Sequence, residues 1–279
     1  MTQEPQRVGL VLTRPSQVLG EEPFYHEFIE GLERVLTPAG VSLLVKVVTD
    51  RAAESATYES WAARELVGGV ILVDLVPGDD RVAQVSRLGI PAVVLGDPST
   101  ADGLPTVWTD DAGFGRDAVR YLAGRGHTVI GHVTGTMTFA HTQLRRGGIE
   151  AEAADRGLTL ITAEGDYSQE SGWAATAAVL AARPGRPTAI VYDNDIMAVA
   201  GLAAIREHGV RVPADVGVVA WDDSAQCQLT VPALSAMSHD VGRIGELSGN
   251  AVLAAMRDPT AHTVYEAPKA QIVERDSTR

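Results

Sequence analysis

Cysteine is nearly absent: Cys227 is alone among 279 residues, which excludes an intrachain disulfide and any cysteine-based metal site. Cations are also scarce. Lys and Arg number 23 against 36 Asp and Glu, giving a net charge of −13 and a sequence pI of about 4.9. Coating DNA or RNA requires clustered Lys and Arg, so these residues do not form a nucleic-acid-coating surface. Long apolar runs are missing, and none approaches a membrane span. The start, acidic and proline-containing, leads into only five apolar residues at Val8-Gly-Leu-Val-Leu12, too few for a secretory signal. No low-complexity tract, Pro-rich linker or repeat of 20–50 residues is visible. A soluble cytoplasmic chain is expected, and its 45% apolar and 21% charged residues suit a globular one. The length allows one large or two medium domains.

What is present is alternation. Short β-branched runs read as buried parallel strands at 8–12, 41–48, 69–73, 92–95, 129–133, 159–163, 189–192 and 216–220. Amphipathic helical stretches separate them. Phe24, Phe28, Leu32, Val35 and Leu36 line one helix face, and Ile196, Val199, Leu202 and Ile205 another. Gly40, Gly89, Gly126, Gly157 and Gly209 each sit after a helix and before a strand, where a C-cap glycine belongs. Such alternation predicts parallel sheets covered on both faces. Roughly ten strands and nine helices exceed one compact sheet, so two α/β lobes with a cleft between them are expected.

The search for catalytic motifs finds none. Leu12-Thr13-Arg14-Pro15 stands where a dinucleotide site would have Gly-x-Gly-x-x-Gly, and neither a phosphate loop nor a Gly-x-Ser-x-Gly elbow occurs. Gly131-His-Val-Thr-Gly135 is a weak glycine-containing strand end. His127 and His132, five apart on one predicted strand, point to opposite faces and cannot share a metal. No metal or cofactor is expected.

Binding chemistry is better represented. Strand C-termini in open α/β sheets collect ligand contacts, and two predicted strands end in polar runs, Asp193-Asn194-Asp195 and Trp221-Asp222-Asp223. Arg145 lies early in the helical stretch that follows Thr134–Phe139. Carboxylate, amide and guanidinium groups can each make paired bonds to vicinal hydroxyls or a heterocycle edge. Only 5% of residues are aromatic, yet Phe24, Tyr25, Trp108, Phe139, Tyr167 and Trp221 fall near such ends. The combination suits a sugar or nucleobase, with an apolar face and a polar rim. Plainer roles compete: Asp193 and Ser168 as helix caps, Phe24 and Phe28 as core, Trp61 as packing, and Asp222 with Asp223 as a turn pair.

The run Tyr192-Asp-Asn-Asp through Val212-Pro-Ala-Asp-Val-Gly-Val-Val-Ala-Trp-Asp-Asp223 resembles the signature of the LacI/GalR repressor family. Other segments agree in order: Pro23-Phe-Tyr-His-Glu-Phe-Ile-Glu-Gly-Leu32, Gly69-Val-Ile-Leu72, Ile90-Pro-Ala-Val-Val94, Gly126-His-Thr-Val-Ile130, Arg145-Arg-Gly-Gly148, Asp166-Tyr-Ser-Gln-Glu-Ser-Gly172 and Pro232-Ala-Leu-Ser235. The similarity runs from about residue 7 to residue 275.

The resemblance implies an α/β effector-binding domain like a type I periplasmic binding protein: two Rossmann-like lobes with parallel sheets and a ligand cleft between them. The first lobe would comprise 1–107 with 238–266, and the second 108–237 with 267–279. Position by position, it makes Arg145 the ligand-gripping arginine, Asn194 and Asp222 the amide and carboxylate partners, and Tyr167 the stacking aromatic. Phe24 and Tyr25 become the first-lobe aromatic pair. Asp110, Phe139, His141 and His239 match less uniform pocket positions, and Trp221 is a further stacking candidate. Two departures stand out. Gly96 precedes Asp97 where many members have Asp directly after the strand, and Ile149 replaces an aromatic residue after Gly148.

Family members carry a helix-turn-helix head before this domain, and the sequence opens at the first effector-domain strand. Removal of such a head is the expected reason, and a naturally headless homologue is the alternative. The implied function is effector sensing and dimerisation in a transcriptional regulator. Its partners would be a sugar, sugar derivative or nucleobase, a second copy of the chain, and operator DNA reached through the head, with no membrane. The alternatives are a transport-system solute receptor, expected to be monomeric, and an enzyme, which would turn over a bound sugar. Replacing Arg145 or Asp222 by Ala is expected to abolish ligand-induced stabilisation with the fold intact.

Overall fold

The computed structural model describes residues 6–13, 23–182, 185–260 and 262–279. Of the motif noted after the first strand, Arg14 and Pro15 lie outside these residues. Two compact units form: Met1–Thr109 with Asp240–Pro268, and Asp110–His239 with Lys269–Arg279. The chain passes between them three times.

The first unit runs β1 (Arg7–Thr13), α1 (Pro23–Leu36), β2 (Ser42–Val48), α2 (Arg51–Ala63), β3 (Gly69–Leu72), α3 (Asp80–Arg87), β4 (Ala92–Leu95) and β5 (Thr106–Trp108), and later α9 (Val241–Arg257) and β11 (Val264–Glu266). Its sheet has the order β11-β5-β4-β3-β1-β2, and every pairing is parallel. β1 lies between β2 and β3, with Val8 opposite Leu43 on one side and Gly69 on the other. Val8, Leu10, Val11 and Leu12 are accordingly buried on both faces. The α1 stripe read from spacing packs as expected, with Phe28, Leu32 and Leu36 buried.

The second unit runs α4 (Asp111–Ala123), β6 (Val129–Thr134), α5 (Ala140–Asp155), β7 (Thr159–Glu164), α6 (Gln169–Ala181), β8 (Ala189–Tyr192), α7 (Asp195–Glu207), β9 (Gly217–Trp221), α8 (Ala225–Leu229) and β10 (Ser235–Ser238). After it, α9 (Val241–Arg257) and β11 (Val264–Glu266) belong to the first unit, and β12 (Gln271–Val273) returns to the second. The second sheet has the order β12-β10-β9-β8-β6-β7, with β12 alone antiparallel.

Twelve strands stand among the described residues. Short strands such as β5, β10 and β11 escaped the sequence reading. β10 is Ser-Ala-Met-Ser, with no β-branched residue, and becomes a strand only because β9 and β12 flank it. The five glycines assigned to helix C-caps all have φ between +65° and +87°, the left-handed region that glycine enters without steric penalty. His127 precedes β6 instead of lying on it, so only His132 is a strand residue there.

Close helix approaches hold each unit together. A Cβ on Gly31 of α1 would lie 2.1 Å from the Gly242 carbonyl oxygen at α9. In the second unit a Cβ on Gly148 of α5 would lie 2.1 Å from the Ala112 carbonyl oxygen of α4. Both contacts require glycine for backbone-to-backbone packing.

Candidate binding site on the second unit

In the second sheet β6 lies between β7 and β8, and from there the chain builds outward in both directions. The C-terminal ends of β6 and β8 therefore flank a topological switch point, where open α/β sheets bind ligands. The residues just past those ends are Gly135 and Asp193. The Gly135 N–H donates to Asp193 Oδ2 at 2.9 Å, and His132 Nε2, from inside β6, donates to Asp193 Oδ1 at 2.9 Å.

Arg145 completes this group. On α5 it is only 6% exposed. Nη1 donates to the Asp193 carbonyl at 2.8 Å, and Nη2 donates to Asp111 Oδ1 at 2.8 Å. The guanidinium carbon lies 3.8 Å from the centre of the Trp221 ring, a cation–π arrangement. Burial opposes the guanidinium's charge, but Asp193 and Asp111 more than offset it and raise the Arg145 pKa. Burial likewise acts to raise the Asp193 carboxyl, and Arg145 and His132 overcome it, holding Asp193 at about 2. Asp193 is not the helix cap considered from sequence; Asn194 takes that position, accepting from Met197 N–H at 2.9 Å. Ser168 does cap α6.

Beside this group lies an aromatic cluster. Tyr167, 7% exposed, has φ +71°, unusual for a non-glycine residue and a form of backbone strain that concentrates at functional sites. Asn194 Nδ2 secures it by donating to the Tyr167 carbonyl at 3.0 Å. The Tyr167 hydroxyl lies 2.6 Å from Thr142 Oγ1 and 2.9 Å from His141 Nε2. Phe139 stacks with His141 at 5.4 Å between centroids and with Tyr167 at 6.4 Å.

Asp110 caps α4 by accepting from Gly113 N–H at 2.8 Å. Asp222, directly after β9, has φ +69°. Its neighbour Asp223 pairs bidentately with Arg275 at 2.7 and 2.8 Å. His239 lies between Phe114 and Trp221, with centroids 5.4 and 5.5 Å away. Burial, then the positive charge of Arg145, push His239 down to about 4. Trp221 is 2% exposed and serves here as the surface supporting Arg145 and His239.

The second unit thus gathers Arg145, Trp221 and His239 in one group and Phe139, His141, Tyr167 and Asn194 in another. Phe24 and Tyr25 belong to the first unit. There the Tyr25 hydroxyl donates to Asp74 Oδ2 at 2.7 Å, and Phe24 stacks on Phe28. Asp97 is used locally, accepting from Ser99 N–H and from Trp108 Nε1 at 3.1 Å.

Sequence reasoning missed the charged network behind Asp74. Arg81 Nη1 donates to Glu54 Oε1 at 2.7 Å, and its Nε and Nη2 hold Asp79. Tyr58 and Thr13 hydroxyls donate to Glu54, and Arg81 and Arg51 donate to the Asp74 carbonyl. Glu54 and Arg81 are 0% and 3% exposed, residue types normally exposed unless paired, so their identities gave no warning. The roles of Asp111 and His132 were likewise invisible, since each depends on a partner more than thirty residues away. Among the described residues, no three His, Cys, Asp or Glu side chains are grouped to hold a metal.

Two α/β units joined by three chain passages, with polar side chains at the strand ends, define a type I periplasmic-binding-protein-like fold. Residues 119–278 match the periplasmic binding protein-like domain family. The chain is 30% identical over 278 residues to the HTH-type transcriptional repressor PurR of Edwardsiella ictaluri, covering 97% of this chain and 79% of that protein. It is 27% identical to the ribose operon repressor of Escherichia coli K12, covering 91% and 76% respectively. The crystal structure of a LacI family transcriptional regulator from Bifidobacterium animalis subsp. lactis superimposes with a TM-score of 0.89 at 32% identity, covering 99% of this chain and 98% of that one. The chain belongs to the LacI/GalR family of transcriptional regulators.

Proposed function

We propose that this chain is the effector-sensing part of a cytoplasmic transcriptional repressor and that its ligand is a sugar, a sugar derivative or a nucleobase. The observation that carries the reading is the fixed Arg145 group at the switch point, next to an aromatic cluster whose Tyr167 is held in the left-handed region. Such rigid placement of planar polar and aromatic groups is what recognition of a small polar ring requires. The repressor relatives support the regulatory setting, and one is named for the ribose operon. Ligand would change operator affinity through its differential affinity for two states of the protein. No helix among the described residues is long and apolar enough to cross a membrane.

Dimerisation is part of the same proposal. Leu229 and Val231 are 82% and 79% exposed at the end of α8, and two such neighbouring apolar side chains favour a covered surface. The edge strand β2 also exposes Val45 and Val47.

The reading is tested by thermal denaturation with mono- and disaccharides, sugar phosphates and nucleobases, together with sedimentation of the chain. A compound that raises the melting temperature of the parent but not of Asp222→Asn, with a dimer in solution, supports it. A monomer that turns over a bound sugar would refute it.

A further inference from the structure

The Arg145 guanidinium is already engaged by acidic residues. Nη2 bonds the Asp111 carboxylate at 2.8 Å. Nη1 bonds the Asp193 carbonyl at 2.8 Å and lies 3.5 Å from the Asp193 carboxylate. The paired terminal nitrogens that would clamp a ligand carboxylate or phosphate bidentately are both directed at protein oxygens. Within the second unit, one guanidinium faces two carboxylates.

Asp193 is built in firmly. It is 2% exposed and receives hydrogen bonds from His132 inside β6 and from the Gly135 backbone just past its end. Three buried nitrogens in this group have no hydrogen-bond partner, His132 Nδ1, Arg145 Nε and His239 Nε2. Arg145 and His239 pack against Trp221. Arg145 Nε is a single N–H donor, and a neutral imidazole nitrogen can donate or accept according to tautomer. A ligand hydroxyl satisfies either atom, because it is donor and acceptor at once. A carboxylate or phosphate group would instead add negative charge beside Asp111 and Asp193 in a desolvated place, where like charges repel strongly.

We propose that this site selects an uncharged, hydroxyl-bearing effector and rejects anionic sugars, with Asp193, anchored by His132, as the positioning residue that neutralises and orients Arg145. The proposal rests on the effector reading above and narrows it to a ligand class. It also assigns a role to His132 and Asp193, which lie behind the ligand-facing groups expected from sequence.

The test compares matched pairs by calorimetry and thermal shift: glucose with glucuronate, ribose with ribose 5-phosphate, and cellobiose with cellobionate, with inorganic phosphate as an anion probe. In the parent chain, the neutral member of the pair that binds should bind at least about tenfold more tightly than its anionic counterpart. Inorganic phosphate should give no stabilisation beyond that of chloride at equal ionic strength. Asp193→Asn should narrow the ratio and gain a phosphate response, and Asp111→Asn should do the same, serving as the second variant if the first fails to fold. A merely structural role for Asp193 would lower the melting temperature and leave the ratio unchanged, which overturns the proposal. Tighter binding of an anionic member by the parent overturns it too, while leaving the effector reading standing. Absence of any response across the panel, nucleobases included, counts against the effector reading itself, and the proposal falls with it.

Discussion

The Tyr167 ring lies so close to Gly135 that a Cβ on Gly135 would sit 1.9 Å from the ring carbon bearing the hydroxyl. The strand end of β6 and the left-handed residue before α6 are therefore a matched pair, and the glycine is set by the aromatic side chain opposite it. Gly135→Ala should push the ring off its bonds to Thr142 and His141, at a cost of about 1–3 kcal/mol of stability, as overpacking does. Denaturant unfolding checks this, and effector-induced stabilisation should weaken in the same variant.

Arg145 and Asp222, paired above as alanine tests, call for different experiments. Arg145 is buried against Asp111 and Asp193, so Arg145→Ala removes the buried cation that both carboxylates face and should cost about 3–5 kcal/mol of stability. The expectation that the fold survives this change untouched is revised for that reason. Asp222→Asn is the cleaner probe. Asn tolerates the +69° φ of that position, so melting should change little, while effector binding should weaken by about 1.5–3 kcal/mol, the usual worth of a hydrogen bond to a charged group.

His239 should make stability depend on pH. Its folded value of about 4 lies below the ordinary 6.5, so between those limits the unfolded chain binds a proton that the folded chain does not. Stability is then complete above about pH 6.5 and is lost as the pH falls toward about 4. His239→Gln should flatten that slope in urea midpoints measured across the interval. Asp193, held at about 2 against 3.8, adds a separate loss below about pH 4, and Asp193→Asn should remove it.

In the first unit Glu54→Ala should cost about 3–5 kcal/mol, because it leaves the buried Arg81 with only part of its countercharge. The same change should loosen the Asp74 backbone that Arg81 and Arg51 hold. Hydrogen exchange around Leu75 and Val76 should rise as a result, whereas loss of a simple surface pair would leave it unchanged.

The sequence alone determined the alternation of strands and helices, the glycine caps and the family. These depend on periods of two and 3.6 residues and on backbone preferences, all local in the chain. It also placed polar residues at strand ends, because a buried strand must be apolar and its polar successors stand out against it. Tertiary structure decided what those residues do. Asn194 is at once a cap and the support of Tyr167, while Trp221 supports Arg145. His132, unremarkable on a strand, meets Asp193 only because β6 and β8 are neighbours in the sheet. Likewise, Glu54 and Arg81 are buried only because α2 and α3 bring their charges together. Buried charge is tolerable only when paired, and the partners come from distant segments that no local pattern connects.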